Sequence, residues 1–361
     1  RRGNTTVNLY LTADVVGTQT GGGSVTRHES EALSELDTTQ VISRNVLSLS
    51  NDPFEQDDAF YDEISKRAIQ DNYYGLLKLA HCYSGCLSNA VEGLLCMGVK
   101  VAYTAAAHDL EVSQREHLAI GLPYNFPHLT DPELWRRYVG GYLFADVLVC
   151  PSNHSAEVMR KFGAKQRIEV IPHGVDIPST DPKPLPDTFR VGYLGAYGGD
   201  KGVRYLLEAW KKLNYPDAEL WLGGKDSQHP FVLYMCNKYG GGRIYLKGWI
   251  ENLEDFYSNI SLYVQPSCTE GFGLEVLESM AHARPVLCSR GAGAVDVVLP
   301  HWDFEACNSD ALAEQIDGLK KESWCLGCVG LSARREVEKY TWPKIRERYK
   351  ALWREMLGTR N

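Results

Sequence analysis

Short apolar runs alternate with stretches of helical periodicity along most of the chain. In the first half these runs predict buried strands, and a helical stretch reaching about Leu36 follows the first of them. The predicted strands are Val7–Leu11, Val41–Ser43, Val99–Thr104, Val147–Cys150 and Arg167–Ile171. Strand and helix alternation at this spacing is typical of βαβ units on a parallel sheet.

Ile177–Asp187 contains four prolines, which exclude a helix or a central strand and predict a linker. The alternation resumes after it. Strands are predicted at Arg190–Leu194, Glu219–Leu222, Ile244–Lys247, Ser261–Gln265 and Pro285–Ser289, and helices near Val203–Leu213 and Leu274–His282. A final amphipathic helix is predicted from Trp342, Ile345, Tyr349, Leu352, Trp353 and Met356, which recur at helical spacing. Two doubly wound α/β sheets joined by a linker place their ligand sites at the carboxyl ends of the strands, across a cleft.

Composition narrows the class of protein. With 38 Lys and Arg against 46 Asp and Glu, the chain of 361 residues has a net charge of −8, which disfavours a nucleic-acid partner. No apolar stretch is long enough for a transmembrane helix, and the first residues lack the apolar segment of a signal peptide. We therefore expect a cytoplasmic protein. Cys82/Cys86 and Cys325/Cys328 are close pairs without a completing His cluster, so the ten cysteines are interpreted as scattered thiols rather than a zinc site.

The segment Val264–Ala281 has the most informative pattern in the chain. A predicted strand ends at Pro266, a turn with glycines follows, and a helix begins near Gly273. Backbone N–H groups at such a helix start form a cradle for an anion such as a diphosphate. Glu270 and Glu278 flank this cradle, where they are suited to accept hydrogen bonds from hydroxyl groups on either side of the phosphates. The alternative interpretation is a helix cap for Glu270 and a solvated helix face for Glu278.

With Met280-Ala281 and Pro285-Val286 behind it, this string resembles the retaining glycosyltransferases of family 4, which have the GT-B fold. Further segments carry the same resemblance: Ile171–Asp176, Val191–Gly195 followed by Lys201-Gly202, the glycine loop Gly21–Gly23, and the closing helix from Trp342. The resemblance covers nearly the whole chain and is weakest at Val46–Leu95. It implies an α/β GT-B fold with two Rossmann-like domains, 1–175 on the acceptor side and 176–341 for the nucleotide sugar. The helix of about 342–357 would pack back onto the first domain.

The resemblance also implies an activity, the transfer of a hexose-type sugar from a nucleoside diphosphate donor to an acceptor with retention, without a metal or cofactor. The acceptor is expected to be a sugar, a lipid-linked sugar or another small molecule. By position, Glu278 would bind the ribose and Glu270 the hydroxyls of the donor sugar, while Lys201 would neutralise the diphosphate. His108 matches a histidine beside the transferred sugar. The donor-binding set would be completed by the amides of Gly271, Phe272, Gly273 and Leu274, together with Gly22, Gly23 and Asp109.

One position departs from the family pattern. Ala196 stands where the family usually has an arginine on the diphosphate, and Arg204 and Arg243 are the candidates to replace it. Two other functions stay open, a nucleotide-sugar epimerase on the same fold and a non-catalytic protein that binds sugar nucleotides. Weak peripheral contact of the basic C-terminal helix with a membrane is an alternative to its packing in the core.

Overall fold

The computed structural model describes residues 7–12, 21–43, 63, 77–83, 88–122 and 140–359. By its internal contacts the chain divides into two units. The first unit comprises residues 1–107, 125–173 and 342–361, and the second comprises residues 108–124 and 174–341.

The first half of the chain supplies six strands and four described helices. They are β1 (Val7–Thr12), α1 (Gly21–Ser34), β2 (Thr38–Ser43), β3 (Leu77–Tyr83), α2 (Ser88–Cys96), β4 (Lys100–Thr104), α3 (Leu110–Ala119), β5 (Val147–Cys150), α4 (Asn153–Lys161) and β6 (Arg167–Val170). The strands form one parallel sheet in the order β2-β1-β3-β4-β5-β6. Every residue of β1 is buried, as expected for a parallel strand covered on both faces.

The second half of the chain repeats this organisation. It contains β7 (Arg190–Leu194), α5 (Val203–Leu213), β8 (Glu219–Gly223), α6 (Pro230–Tyr239), β9 (Ile244–Gly248), α7 (Leu253–Ser258), β10 (Leu262–Gln265), α8 (Leu274–Ala281), β11 (Val286–Ser289), β12 (Asp303–Phe304), α9 (Ser309–Lys321), α10 (Leu326–Val337) and α11 (Trp342–Met356). The six strands form a second parallel sheet in the order β12-β11-β10-β7-β8-β9.

Each face of the second sheet has its own apolar cluster. Val264 of β10 packs with Leu206 and Trp210 of α5. Its neighbour Tyr263 packs with Val276 and Leu277 of α8. Successive residues of a strand point to opposite faces, so the two clusters cover the sheet on both sides and hold α8 at the carboxyl end of β10.

The linker predicted at Ile177–Asp187 contains no helix or strand. Two arginines of the second unit anchor it. The buried Arg284 donates to the carbonyl oxygen of Lys183 at 2.6 Å, and Arg334 donates to the carbonyl oxygen of Pro178 at 2.7 Å. Arg334 also donates to the carbonyl oxygen of Ala281 at 2.7 Å, so the linker is fixed to the end of α8.

In the first unit, α11 packs against α1 and completes a buried polar network. The carboxylate of Glu29 accepts hydrogen bonds from Tyr10 (2.6 Å), Tyr349 (2.7 Å) and Thr104 (2.9 Å). Trp353 donates to Nδ1 of His81 at 3.1 Å, which assigns the ring proton to Nε2, 2.8 Å from the Thr104 hydroxyl. Two side chains of α11 thus satisfy buried polar atoms of the sheet and of α1.

The predicted strands are confirmed, with ends that shift by up to three residues. The sequence prediction missed β3 and β12. It included residues 108–122 in the first domain, whereas their contacts group them with the second unit. It was also wrong about two cysteines. Cys268 and Cys307 form a disulfide with a Cα–Cα distance of 5.4 Å. None of the described helices is long and apolar enough to cross a bilayer.

Candidate active site

The turn between β10 and α8 contains the pattern that the sequence singles out. Its backbone is bound to the segment after β11, because the N–H of Glu270 donates to the carbonyl oxygen of Gly291 and the N–H of Gly293 donates back to that of Glu270. Gly273 ends the turn with φ of 101° and no side-chain cap. The N–H groups of Leu274 and Glu275 that follow have no carbonyl partner within the helix, and that of Glu275 donates to its own carboxylate. A helix start of this kind suits an anion.

Glu270 and Lys201 form an ion pair at this turn, with Nζ 2.6 Å from Oε1. The other carboxylate oxygen accepts hydrogen bonds from Ser267 at 2.6 Å and from the Gln265 amide at 2.7 Å. Burial alone would raise the pKa of Glu270, but the Lys201 charge and these hydrogen bonds lower it below the ordinary value. Burial would lower the pKa of Lys201, and the charges of Glu270 and Asp200 raise it instead. Both groups are therefore charged at neutral pH.

Lys201 is positioned by a close approach of two backbone segments. A short 3₁₀ turn, Gly199–Lys201, ends at Gly202 with φ of 66°. A Cβ at Gly202 would lie 1.9 Å from the carbonyl oxygen of Pro266, so only glycine fits between the two loops. The N–H of Cys268 also donates to the carbonyl oxygen of Asp200 at 2.7 Å. The predicted phosphate-contacting loop and the predicted sugar-binding turn are thus joined through their backbones.

Glu278 lies one turn from the end of α8 and accepts a hydrogen bond from the Tyr257 hydroxyl at 3.0 Å. Burial raises the pKa of Glu278, and the hydrogen bond from Tyr257 partly opposes the increase. The Tyr257 ring stacks on His282, with centroids 4.9 Å apart, and this packing fixes the orientation of its hydroxyl. Tyr257 lies 21 residues before Glu278, outside the motif, so no local sequence pattern indicates its role.

Helix α3 brings the segment after His108 into the same unit as this turn. Asp109 caps α3 by accepting from the N–H groups of Glu111 and Val112. Its own N–H donates to the Thr269 hydroxyl at 2.7 Å, next to Glu270. Asp109 therefore has a structural role, and this capping role accounts for its side chain without a bound donor. His108 directly precedes it; both assignments to the donor site stay predictions.

The sequence predicted four other residues for the donor site, Arg204, Arg243, Gly22 and Gly23, and the structure does not bring all of them together. Arg204 pairs with Glu208 on its own helix at 2.9 Å, and Arg243 pairs with Glu219 at 2.7 Å. Arg243 precedes β9 and so lies at the amino end of the sheet, opposite to the turn. In this structure neither arginine contacts the Lys201–Glu270 pair. Gly22 and Gly23 belong to the first unit, in the first turn of α1.

Comparison with known sequences identifies the two halves of the chain. A family model described as "Glycosyltransferase Family 4" matches residues 22–178, and one described as "Glycosyl transferases group 1" matches residues 188–322. The chain therefore contains a match to each of these two glycosyltransferase family models, one after the other. The first match covers most of the segment that forms the first parallel sheet, and the second match covers the segment that forms the second sheet. The second match includes the whole turn and helix from Glu270 to Glu278.

The individual relatives are distant in sequence. The capsular polysaccharide biosynthesis glycosyltransferase CapM of Staphylococcus aureus is 25% identical over 191 residues, which cover 49% of this chain and 50% of that protein. The chain spans about half the length of the curated relatives it matches first.

Solved structures agree over almost the full length. A sucrose-phosphate synthase from Thermosynechococcus elongatus has a TM-score of 0.75 at 20% identity, and the match covers 98% of this chain and 99% of that one. HepE of Anabaena, solved in complex with UDP and glucose, has a TM-score of 0.69 at 15% identity over 97% and 100% of the two chains. The predicted GT-B fold is confirmed.

Proposed function

We propose that this protein transfers a hexose-type sugar from a nucleoside diphosphate sugar to a small acceptor, with retention and without a metal ion. The observation that carries the proposal is the Lys201–Glu270 pair beside the start of α8, which has no side-chain cap, with Glu278 one helical turn beyond it. It combines donors for phosphate oxygens with carboxylates for hydroxyl groups. The UDP and UDP-glucose complexes of HepE, which shares the fold, support a donor of this class.

In this proposal the diphosphate binds at the amides of Leu274 and Glu275, where the helix dipole favours negative charge. Glu278 accepts hydrogen bonds from the ribose, and Glu270 accepts from the sugar hydroxyls. Lys201 has three N–H donors, so a phosphate oxygen can share it with Glu270. Its hydrogen bond to Glu270 holds it in place before the donor arrives, which is the preorganisation that electrostatic catalysis requires.

The chemical step forms a bond between the acceptor oxygen and the anomeric carbon and breaks the bond from that carbon to the β-phosphate oxygen. The acceptor hydroxyl gives its proton to the leaving phosphate, on the same face of the sugar, which retains the configuration. Negative charge gathers on the β-phosphate as its bond breaks, where Lys201 and the start of α8 stabilise it. His108 is assigned to the side of the transferred sugar, and a sugar or lipid-linked sugar is the proposed acceptor.

The decisive experiment incubates the protein with UDP-glucose, UDP-N-acetylglucosamine and GDP-mannose, each with a panel of sugar and lipid-linked acceptors. We expect release of nucleoside diphosphate and a product whose anomeric proton coupling in NMR matches that of the donor. Glu270→Gln should abolish turnover, whereas the exposed Glu322→Gln should leave it unchanged. A product of inverted configuration would contradict retention. An epimerised donor formed without any acceptor would identify an epimerase instead.

A further inference from the structure

A third carboxylate, Glu275, lies between the two that the sequence analysis singled out. Glu270, Glu275 and Glu278 fall within the turn and the first turns of α8. Of the described side chains, Lys201 is the cation that faces this group, and its Nζ is already bonded to Glu270. The site therefore carries more negative than positive charge before any phosphate enters it.

Glu275 lies in the first turn of α8, partly buried. Its Oε1 lies 3.9 Å from the position that a Cβ would occupy at Gly195, just after β7. Within the described part of the chain, no other side chain donates a hydrogen bond to this carboxylate. Its own backbone N–H is the donor it has, and Glu278, three residues further on, lies on the same face of the helix. A partly buried carboxylate without a side-chain donor, beside two others, is better accommodated in its protonated form.

The charges around Glu275 come from several elements. Glu270 in the turn, Glu278 on α8 and Lys201 on the 3₁₀ turn face it, and so do Tyr193, Tyr257 and Tyr263 from β7, α7 and β10. Burial raises the pKa of all three tyrosines well above the ordinary value, so they stay neutral. Burial, followed by the charges of Glu270 and Glu278, raises the pKa of Glu275 to about 8.

We propose that Glu275 is a donor-binding residue that faces the diphosphate as a neutral acid and donates a hydrogen bond to a phosphate oxygen. This inference rests on the proposed function, since it requires a nucleoside diphosphate at the start of α8. The added phosphate charge makes ionised Glu275 still less favourable, so any ionised fraction takes up a proton from solvent when the nucleotide binds. Affinity is then linked to pH through one named side chain.

The direction in which nucleotide affinity changes with pH follows from the protonation state of Glu275. Below the pKa of about 8, Glu275 is neutral and the affinity is constant. Above this pKa the fraction of protein molecules with neutral Glu275 falls, and only those molecules can bind the nucleotide. At about pH 9 only about a tenth of the molecules have neutral Glu275, against about three quarters at about pH 7.5, so we expect binding about eightfold weaker at the higher pH.

Isothermal titration calorimetry with UDP and with GDP tests this directly, at about pH 7.5 and about pH 9, where the terminal phosphate of the free nucleotide is already ionised. Repeating each titration in buffers of different ionisation enthalpy counts the protons taken up. We expect nearly one proton for each nucleotide at the higher pH. Glu275→Gln keeps a neutral hydrogen-bond donor, so its affinity should not change with pH and its proton uptake should vanish. The exposed Glu322→Gln should behave as the wild type.

Three results would overturn the inference. Wild-type affinity that is constant to about pH 9, without proton uptake, would show that Glu275 does not titrate with binding. The same pH dependence in Glu275→Gln would assign the proton to another group. Binding of neither nucleotide at any pH would overturn the proposed function and this inference together, whereas the first two results leave the proposed function intact. If Glu275→Gln does not fold, Glu275→Ser serves the same comparison, because it too is neutral.

Discussion

Because Lys201 and Glu270 form an ion pair, a substitution of Lys201 is expected to affect the stability of the fold as well as the turnover. Lys201 follows two glycines in a loop, and the sequence alone suggests a side chain whose removal would hardly affect folding. In the structure its Nζ is bonded to a largely buried carboxylate. Removing one partner of such a pair leaves an uncompensated charge, which is strongly destabilising.

We therefore expect Lys201→Ala to lower both the melting temperature and the turnover. The rate should fall by about 10² to 10³, because a preorganised cation at the leaving group is lost. Adding Glu270→Gln to Lys201→Ala removes the unpaired charge, so the double variant should regain melting temperature but not turnover. Thermal unfolding and kcat, measured on both variants, separate the two effects. A Lys201→Ala enzyme with wild-type kcat would show that this lysine does not act on the leaving group.

Glu278 gives a second prediction at the residue scale. Glu278→Gln replaces a charged acceptor for the ribose hydroxyls with a neutral one and should weaken UDP or GDP binding by about ten- to a hundredfold. Tyr257→Phe removes only the hydroxyl that orients Glu278 and should have a smaller effect. Calorimetric affinities for both variants test this order. Unchanged affinity in Glu278→Gln would instead support the alternative interpretation, in which Glu278 lies on a solvated helix face and does not bind the ribose.

Helix α11 is held to the first unit in part by buried polar contacts. Tyr349 supplies one of three hydroxyl donors to the buried Glu29 carboxylate. Tyr349→Phe should lower the free energy of unfolding by about 1.5 to 3 kcal/mol, the usual loss for a hydrogen bond to a charged group. Tyr234→Phe on the exposed face of α6 is the matched control and should stay within about 0.5 kcal/mol of the wild type. Urea unfolding measures both. An equal effect of the two substitutions would mean that the Glu29 network does not stabilise the fold.

Helix α3 shows how packing decides the unit to which an element belongs. The Tyr205 hydroxyl donates to Glu116 of α3 at 2.8 Å, and a Cβ at Gly199 would lie 2.3 Å from the backbone of Glu116. The glycine lets the 3₁₀ turn approach α3 closely. These contacts join residues about 90 positions apart, and no local pattern indicates them.

At the scale of the whole molecule, the proposed mechanism needs no divalent cation, because Lys201 and the start of α8 supply the positive field at the diphosphate. Transfer activity should therefore survive extensive dialysis against EDTA, with kcat and KM within about twofold of the untreated protein. Steady-state kinetics before and after dialysis test this. Loss of transfer that a divalent ion restores would refute the metal-independent mechanism.

Much of the architecture could be predicted from the sequence. The strand–helix alternation, the proline-rich linker and the turn from β10 into α8 are local patterns, and each is found where it was expected. The first unit was harder. Strand β3, Leu77–Tyr83, was missed in the region where the family resemblance is weakest.

The sequence by itself determined the two α/β halves, the family and the placement of Glu270 and Glu278 around a helix start, because periodicity and a contiguous motif record these directly. Only the tertiary structure decided that Lys201 bonds to Glu270, that Tyr257 holds Glu278, and that α3 packs with the second unit. Each of these depends on distances between segments far apart in the chain. The same holds for Glu275, whose pKa is raised by burial and by the charges of Glu270 and Glu278 that the fold brings near it.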